Sequence, residues 1–276
     1  MKGKVRKWTC HKLEAFSDYV RAYGKIARKA EYCYLELYAG RGNGLCDGTD
    51  CYLEGAELRA LTSEANFTRF VFVVKSHAAA EKLRQLIGSR DTGNIAVITG
   101  NCNNKKTMRK MLDLVPRSAS SFAFVNPGGY RNLQWATLQQ LATRGVNWQG
   151  DKMELLIIFP LEMALFRNLM RSECQASIVR FYGNHRWEEI KRQKVAGKAK
   201  TGDIKQKLVE LYKEGLMELG YRYVEDFKPA SPTRQPYYHV ISASDSGSRA
   251  KMLKHAWGKP RYLRCELLYG TETKQQ

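Results

Sequence analysis

The sequence predicts one α/β domain: a mostly parallel sheet of about seven strands, helices on both faces, and a terminal antiparallel hairpin. Three observations carry this. Phe70–Val74 and Leu155–Phe159 are nearly unbroken apolar runs, as in parallel strands covered on both faces. Such runs alternate with segments of helical periodicity as far as Phe159. The run Cys33–Tyr38 breaks into Gly40, Gly42 and Gly44, and a periodic apolar pattern resumes near Ala56. Strand, glycine-rich turn and helix in that order form a ligand cradle, because glycine lets backbone approach a ligand and adopt positive φ. The bland alternative is a glycine-rich surface loop after a core strand. The spacing is not the Gly-x-Gly-x-x-Gly of dinucleotide sites.

A chain of 276 residues suits one large α/β domain, or one domain with a small addition. Lys and Arg number 46 against 27 Asp and Glu, a net charge of +19. That excess favours a polyanion, nucleic acid ahead of an anionic membrane. No apolar run reaches the ~20 residues of a membrane-spanning helix, and Met1–Lys7 lacks an apolar signal core. A soluble cytoplasmic protein with no membrane partner is expected. The seven cysteines are dispersed and odd in number, which suits reduced thiols. Cys46 and Cys51 are the one close pair, and nothing completes a metal site, so none is expected.

The basic first seven residues read as a mobile arm. Within an N-terminal helical segment, 8–30, residues 11–29 form an amphipathic helix that packs on the sheet. Glu36 points opposite to Leu35 and Leu37, and a carboxylate inside an apolar strand needs a partner or ligand. Residues 45–54 read as a loop, followed by a helix to about Asn66. The strand Phe70–Val74 ends at Lys75, and His77–Ile87 is the next helix. Asn94–Ile98 is a strand ending near Asn101, Cys102 and Asn103, with Asn103 the better N-cap candidate. The next helix opens with Lys105, Lys106, Arg109 and Lys110. Cations there oppose the macrodipole, so either a nucleic-acid phosphate lies nearby or this is a solvated basic face.

The strand Ser121–Val125 ends in Asn126-Pro127-Gly128-Gly129-Tyr130, a ligand loop or a plain Pro-Gly turn. A helix over Leu133–Ala142 and a strand over Glu154–Phe159 follow, and 161–181 is helical. Residues 186–207 hold the densest basic tract, including Arg186, Lys191, Arg192 and Lys194, and read as a mobile segment or solvated linker. Tyr182, His185 and Trp187 beside it offer faces for stacking bases. Residues 160–202 therefore read as a helical and basic insertion. A helix, Asp203–Leu219, precedes strands Tyr221–Phe227 and Tyr237–Ser244, joined by the Pro-rich turn 229–232. That pattern suits a closing sheet hairpin or a winged helix. Ala250–Trp257 is the last helix.

Glu36-Leu37-Tyr38-Ala39-Gly40-Arg41-Gly42 resembles the first loop of S-adenosylmethionine (SAM) dependent methyltransferases with a Rossmann-like sheet. Three further stretches extend the likeness: Trp8 with His11-Lys12, the loop Asn126–Tyr130, and Gly183 followed by Trp187. Together they resemble the three-Cys-motif partner protein (TcmP) family. The resemblance implies SAM as cofactor, held by Glu36, Tyr38, Ala39, Gly40, Gly42, Lys75, Asn101 and Cys102. It implies that Asn126 and Pro127 orient a target amine and that Tyr130 stacks on the base. It also implies that the first helix closes over the cofactor side. The implied partner is the three-Cys-motif protein encoded alongside, a radical-SAM-type protein of mobile elements. Three positions usually acidic in the class are Lys75, Asn101 and Asn126 here. Lys75 counts against SAM, since an ammonium cannot accept from ribose hydroxyls.

No proline is followed by cysteine, which argues against a Pro-Cys thiolate route to 5-methylpyrimidines. Gly-x-Ser-x-Gly, P-loop and His-Glu-x-x-His motifs are absent too. Direct transfer to an amino nitrogen or oxygen remains. Two functions stay open. One is a SAM-dependent enzyme on nucleic acid, bound through Lys105, Lys106, Arg109, Arg186, Trp187, Lys191, Arg192 and Lys194. The other is a catalytically degenerate fold serving as a nucleic-acid-binding or scaffold subunit.

Overall fold

The computed structural model describes residues 4–5, 7–26, 31–46, 52–65, 67–229 and 238–258. The chain opens with β1 (Lys4–Val5), α1 (Lys7–Ile26) and β2 (Tyr32–Ala39). A small hairpin, β3 (Asn43–Cys46) and β4 (Tyr52–Glu54), leads to α2 (Ala56–Leu61). Then come β5 (Arg69–Val74), α3 (His77–Ile87), β6 (Ile95–Thr99), α4 (Lys105–Leu112), β7 (Ser120–Val125), α5 (Trp135–Arg144) and β8 (Glu154–Phe159). A short α6 (Phe166–Asn168), then α7 (Gln175–Tyr182), α8 (Trp187–Val195) and α9 (Thr201–Glu218), precede β9 (Tyr223–Phe227), β10 (His239–Ser244) and α10 (Gly247–Trp257).

The main sheet has seven strands in the order β6-β5-β2-β7-β8-β10-β9. The first five are parallel, and β10 runs antiparallel to both β8 and β9. The expected hairpin thus closes the sheet and is not a winged helix. This is the Rossmann-like sheet expected, with β7 as its middle strand and β2 beside it. Two-residue alternation sorts the side chains of β2. Cys33, Leu35 and Leu37 face a core shared with α4, α5, α7, α8 and α9. Tyr32 and Tyr34 face an aromatic core shared with α1, α3 and α10. Trp135 of α5 sits where a Cβ on Gly183 or Gly215 would stand, and Gly183 has φ +73°. Both positions need glycine for that ring to pack.

Several sequence expectations change. The first helix begins at Lys7, and Lys4 and Val5 pair with Leu45 and Cys46, so that part of the basic arm is a strand. The described part of loop 45–54 belongs to the β3–β4 hairpin; Cys51 lies outside the described residues. The helix before β5 ends at Leu61, not near Asn66. Asn104, not Asn103, caps α4, accepting from the Lys106 and Thr107 amides. Residues 161–181 are interrupted by a π-helical turn, Leu161–Leu165, and a 3₁₀ turn, Ser172–Cys174. The basic tract 186–207 is not a mobile linker. It folds into α8 and the start of α9, because Trp187, Ile190 and Ile204 enter the core. Most of the Pro-rich turn and everything after Gly258 lie outside the described residues. No described helix is long and apolar enough to cross a membrane.

Candidate active site

The site begins where β2 leaves the sheet. Its register against β5 shifts between Glu36 and Ala39, an irregularity of the kind that re-aims side chains near ligands. Gly42 then has φ +82°, and a Cβ there would lie 3.0 Å from Leu83 Cδ1. Its carbonyl accepts from the Gly55 amide at 2.7 Å, which ties the turn to the start of α2. Against this turn lies a cavity of about 240 Å³, lined among others by Lys12, Glu36, Tyr38, Gly40, Arg41, Gly42, Glu57 and Asn126. That is just under the range of ~300–1,000 Å³ usual for small-molecule pockets.

Two carboxylates are buried here. Glu36 is 2 % and Glu57 3 % exposed. Tyr34 Oη donates to Glu36 Oε2 at 2.9 Å, and the Gly40 amide donates to Glu57 Oε1. Burial pushes both acids above the usual carboxylate range, and the charge of Glu57 pushes Glu36 further. Two cations line the cavity with them, Arg41, exposed on the glycine turn, and a buried lysine. Lys12 of α1 is 4 % exposed. Its Nζ donates to Asn126 Oδ1 at 3.0 Å and lies 4.9 Å from the centre of the Trp8 ring. Burial pushes the ammonium down to about 8, with Glu36 pulling the other way. Among the buried groups two acids stand against one ammonium, with Arg41 exposed to solvent, which suits the cavity to a cationic ligand. SAM, with its sulfonium and α-ammonium, is such a ligand, so these residues fit its methionine end.

The ribose end fits less well. Lys75 is exposed at the tip of β5, beside β2, and makes no ion pair with a described carboxylate. Asn101 Oδ1 already accepts from the Asn103 amide at 3.0 Å. Cys102 is buried, in contact with the Tyr38 hydroxyl. None of these three lines the cavity. Ala39 is buried and does not line it either. Tyr38 Oη donates to the Asn132 carbonyl at 2.8 Å, joining the β2 tip to the loop after β7.

The target loop departs from the expected arrangement. Asn126 Oδ1 accepts from Lys12, and the Pro127 carbonyl accepts from Asn132 Nδ2 at 2.8 Å. Both oxygens meant for an amine already hold protein donors. Tyr130 is 1 % exposed, edge-on to Phe181 with Arg131 against it. It has no face for a stacked base, which corrects the sequence reading.

The expected nucleic-acid residues divide. Lys105, Lys106 and Arg109 are exposed on α4. Arg186 is forked between Glu214 and Glu218, and Arg192 pairs with Glu189 at 2.7 Å. Lys191 is half-buried, and Lys194 lies 5.1 Å over the Phe166 ring. Trp187 is fully buried, so the stacking role read for it is corrected. Sequence reasoning noted Lys12 only within the Trp8, His11-Lys12 likeness and gave it no site role, and it missed Glu57. Lys12 precedes Phe16 by four residues on the buried stripe of α1, which was a usable signal. Glu57 lies in a six-residue helix, too short for periodicity.

Comparison with known proteins yields folds only. No family model and no curated protein matches the chain. Among solved structures, protein LPL1258 of Legionella pneumophila is 10 % identical, covering 90 % of this chain and 92 % of that one, with TM-score 0.49. Fibrillarin of Aeropyrum pernix, solved with natively bound SAM, is 14 % identical over 86 % of this chain and 76 % of that one, with TM-score 0.43. TYW2 of M. jannaschii, solved with the same cofactor, is 10 % identical over 82 % and 74 %, with TM-score 0.36.

Proposed function

We propose that this chain is a SAM-dependent methyltransferase acting on nucleic acid. One observation carries the reading: the tips of β2 and β7 enclose a cavity holding two buried carboxylates, Lys12 and Asn126. Glu36 and Glu57 would hold the cationic end of the cofactor, while Gly40 and Gly42 let backbone approach it. The bound cofactor supplies an electrophilic methyl group. Lys12 and Asn126 lie on the β7 side, where a target atom would enter. The exposed cations of α4, with the net charge of +19, favour a polyanionic substrate. The two family-like loops make the three-Cys-motif partner family our proposal for its place in the class.

Calorimetry with SAM and S-adenosylhomocysteine tests this. Heat with either supports it, and no heat at millimolar ligand leaves the scaffold reading, which Lys75 favours. Binding to RNA or DNA is expected to weaken steeply with salt, and salt-insensitive or absent binding removes the nucleic-acid part. Replacing Lys75 with Glu is expected to tighten SAM binding about tenfold, since a carboxylate accepts from both ribose hydroxyls. Unchanged or weaker binding refutes that account of the β5 tip.

A further inference from the structure

We infer that the methyl acceptor is a hydroxyl, the 2′-hydroxyl of RNA, and that Lys12 takes its proton. This rests on the methyltransferase reading and adds a substrate class to it. An amine brings its own lone pair and needs acceptors to aim its hydrogens. A hydroxyl is a weak nucleophile until its proton has somewhere to go.

The site suits the second case. Asn126 Oδ1 and the Pro127 carbonyl already accept from Lys12 Nζ and Asn132 Nδ2, at 3.0 Å and 2.8 Å. Tyr130 is buried against Phe181, so this loop offers no ring to clamp an extruded base. Lys12 Nζ sits in the cavity wall beside Asn126, at the β7 tip. Burial holds its proton affinity near 8, so a useful fraction is neutral amine close to neutrality. The other charged or titratable side chains lining the cavity are Glu36 and Tyr38 of β2, Arg41 of the glycine turn and Glu57 of α2. Glu36 favours the ammonium form, and Arg41 carries a fixed positive charge. Tyr38 stays protonated, because burial pushes its hydroxyl up. A bound sulfonium would push Lys12 further toward the neutral form, as like charges do. Within a nucleic-acid chain, the hydroxyl open to this chemistry is the ribose 2′-OH.

The step balances. The O–H bond breaks and its proton goes to neutral Nζ, giving the ammonium. The oxygen's electron pair forms a bond to the methyl carbon. The carbon–sulfur pair returns to sulfur, leaving a neutral thioether. Solvent then removes the proton from Lys12.

Four measurements test this on the full chain. Bulk RNA and DNA are incubated with methyl-labelled SAM, digested and resolved by mass spectrometry. Label in 2′-O-methyl nucleosides is expected. Label in methylated bases overturns the inference alone, while no label in any nucleic acid sinks the methyltransferase reading with it. Competitive acetylation, read by mass spectrometry, measures the proton affinity of Lys12 without turnover. Titration near 8 is expected, and ordinary lysine behaviour near ~10.4 overturns the inference. Lys12→Arg keeps a charge and a donor for Asn126 but holds its proton. Its rate is expected to fall about 100-fold or more, with SAM heat retained, and full activity overturns the proposal. Wild-type rate is expected to rise with pH and level above about 8. If Lys12→Arg does not fold, the three wild-type measurements decide.

Discussion

Arg249→Met lowers the unfolding free energy at alkaline pH by about 3–5 kcal/mol, the usual cost of stranding a buried charge. Arg249 reaches from α10 to Glu154 at the start of β8, pairing with Oε1 through Nη1. Its Nη2 donates to Tyr32 Oη at 2.7 Å, and Tyr23 Oη donates to the same Glu154 oxygen at 3.0 Å. The Glu154 side chain is only 4 % exposed. Burial pushes its carboxyl up to about 7, against the pull of Arg249 and Tyr23. The sign of the pH dependence follows. Between the unfolded value of 4.5 and the folded value near 7, the native state binds a proton that the unfolded state has released. This group's contribution to stability therefore falls as pH rises through that window. Without Arg249 the folded value climbs further, so the variant loses more above it and less in acid. Urea midpoints of both proteins at pH about 5.5 and about 8 check this: the gap widens at the higher pH. A gap independent of pH would refute the stranded-charge account. Replacing both partners together, Glu154→Leu with Arg249→Met, is expected to recover most of the loss.

The sheet was legible because its signals are local. Phe70–Val74 and Leu155–Phe159 read as buried strands, and the periodicity of His77–Ile87 read as the helix that is α3. The glycine cradle was legible for the same reason, since Gly42 needs its positive φ whatever surrounds it. The cavity was not legible, because it joins residues far apart in the chain. Lys12 meets Asn126 across 114 positions, and Glu57 reaches the Gly40 amide across 17. The Asn126–Tyr130 motif gave the loop but could not show that Lys12 and Asn132 hold its acceptors. Burial of aromatic residues was the systematic miss. Tyr130 and Trp187 stood beside glycines and cations, which read as an exposed surface, yet both fill the core shared with α9.

Trp187→Ala is expected to cost about 3–5 kcal/mol of stability, as for other fully buried tryptophans, and to leave the affinity of the folded protein for RNA unchanged. The ring opens α8 and packs in the core with Ile190, Ile204 and Leu208. Its Nε1 makes no hydrogen bond, so truncation removes apolar contact area and creates a cavity without stranding a partner. Trp187→Phe keeps much of the volume and is expected to cost clearly less. A stacking tryptophan would behave in the opposite way, with stability untouched and affinity lowered by about 1–3 kcal/mol. Melting curves give the first quantity. Salt-controlled RNA titrations, run well below the melting point, give the second. An unchanged melt with weakened binding would return Trp187 to the surface. On the geometry seen here the binding loss belongs instead to Lys105→Glu and Lys106→Glu on α4, whose side chains are exposed and make no ion pair with a described carboxylate. Each is expected to lower the salt slope of RNA binding by about one, a readout that a core substitution cannot imitate.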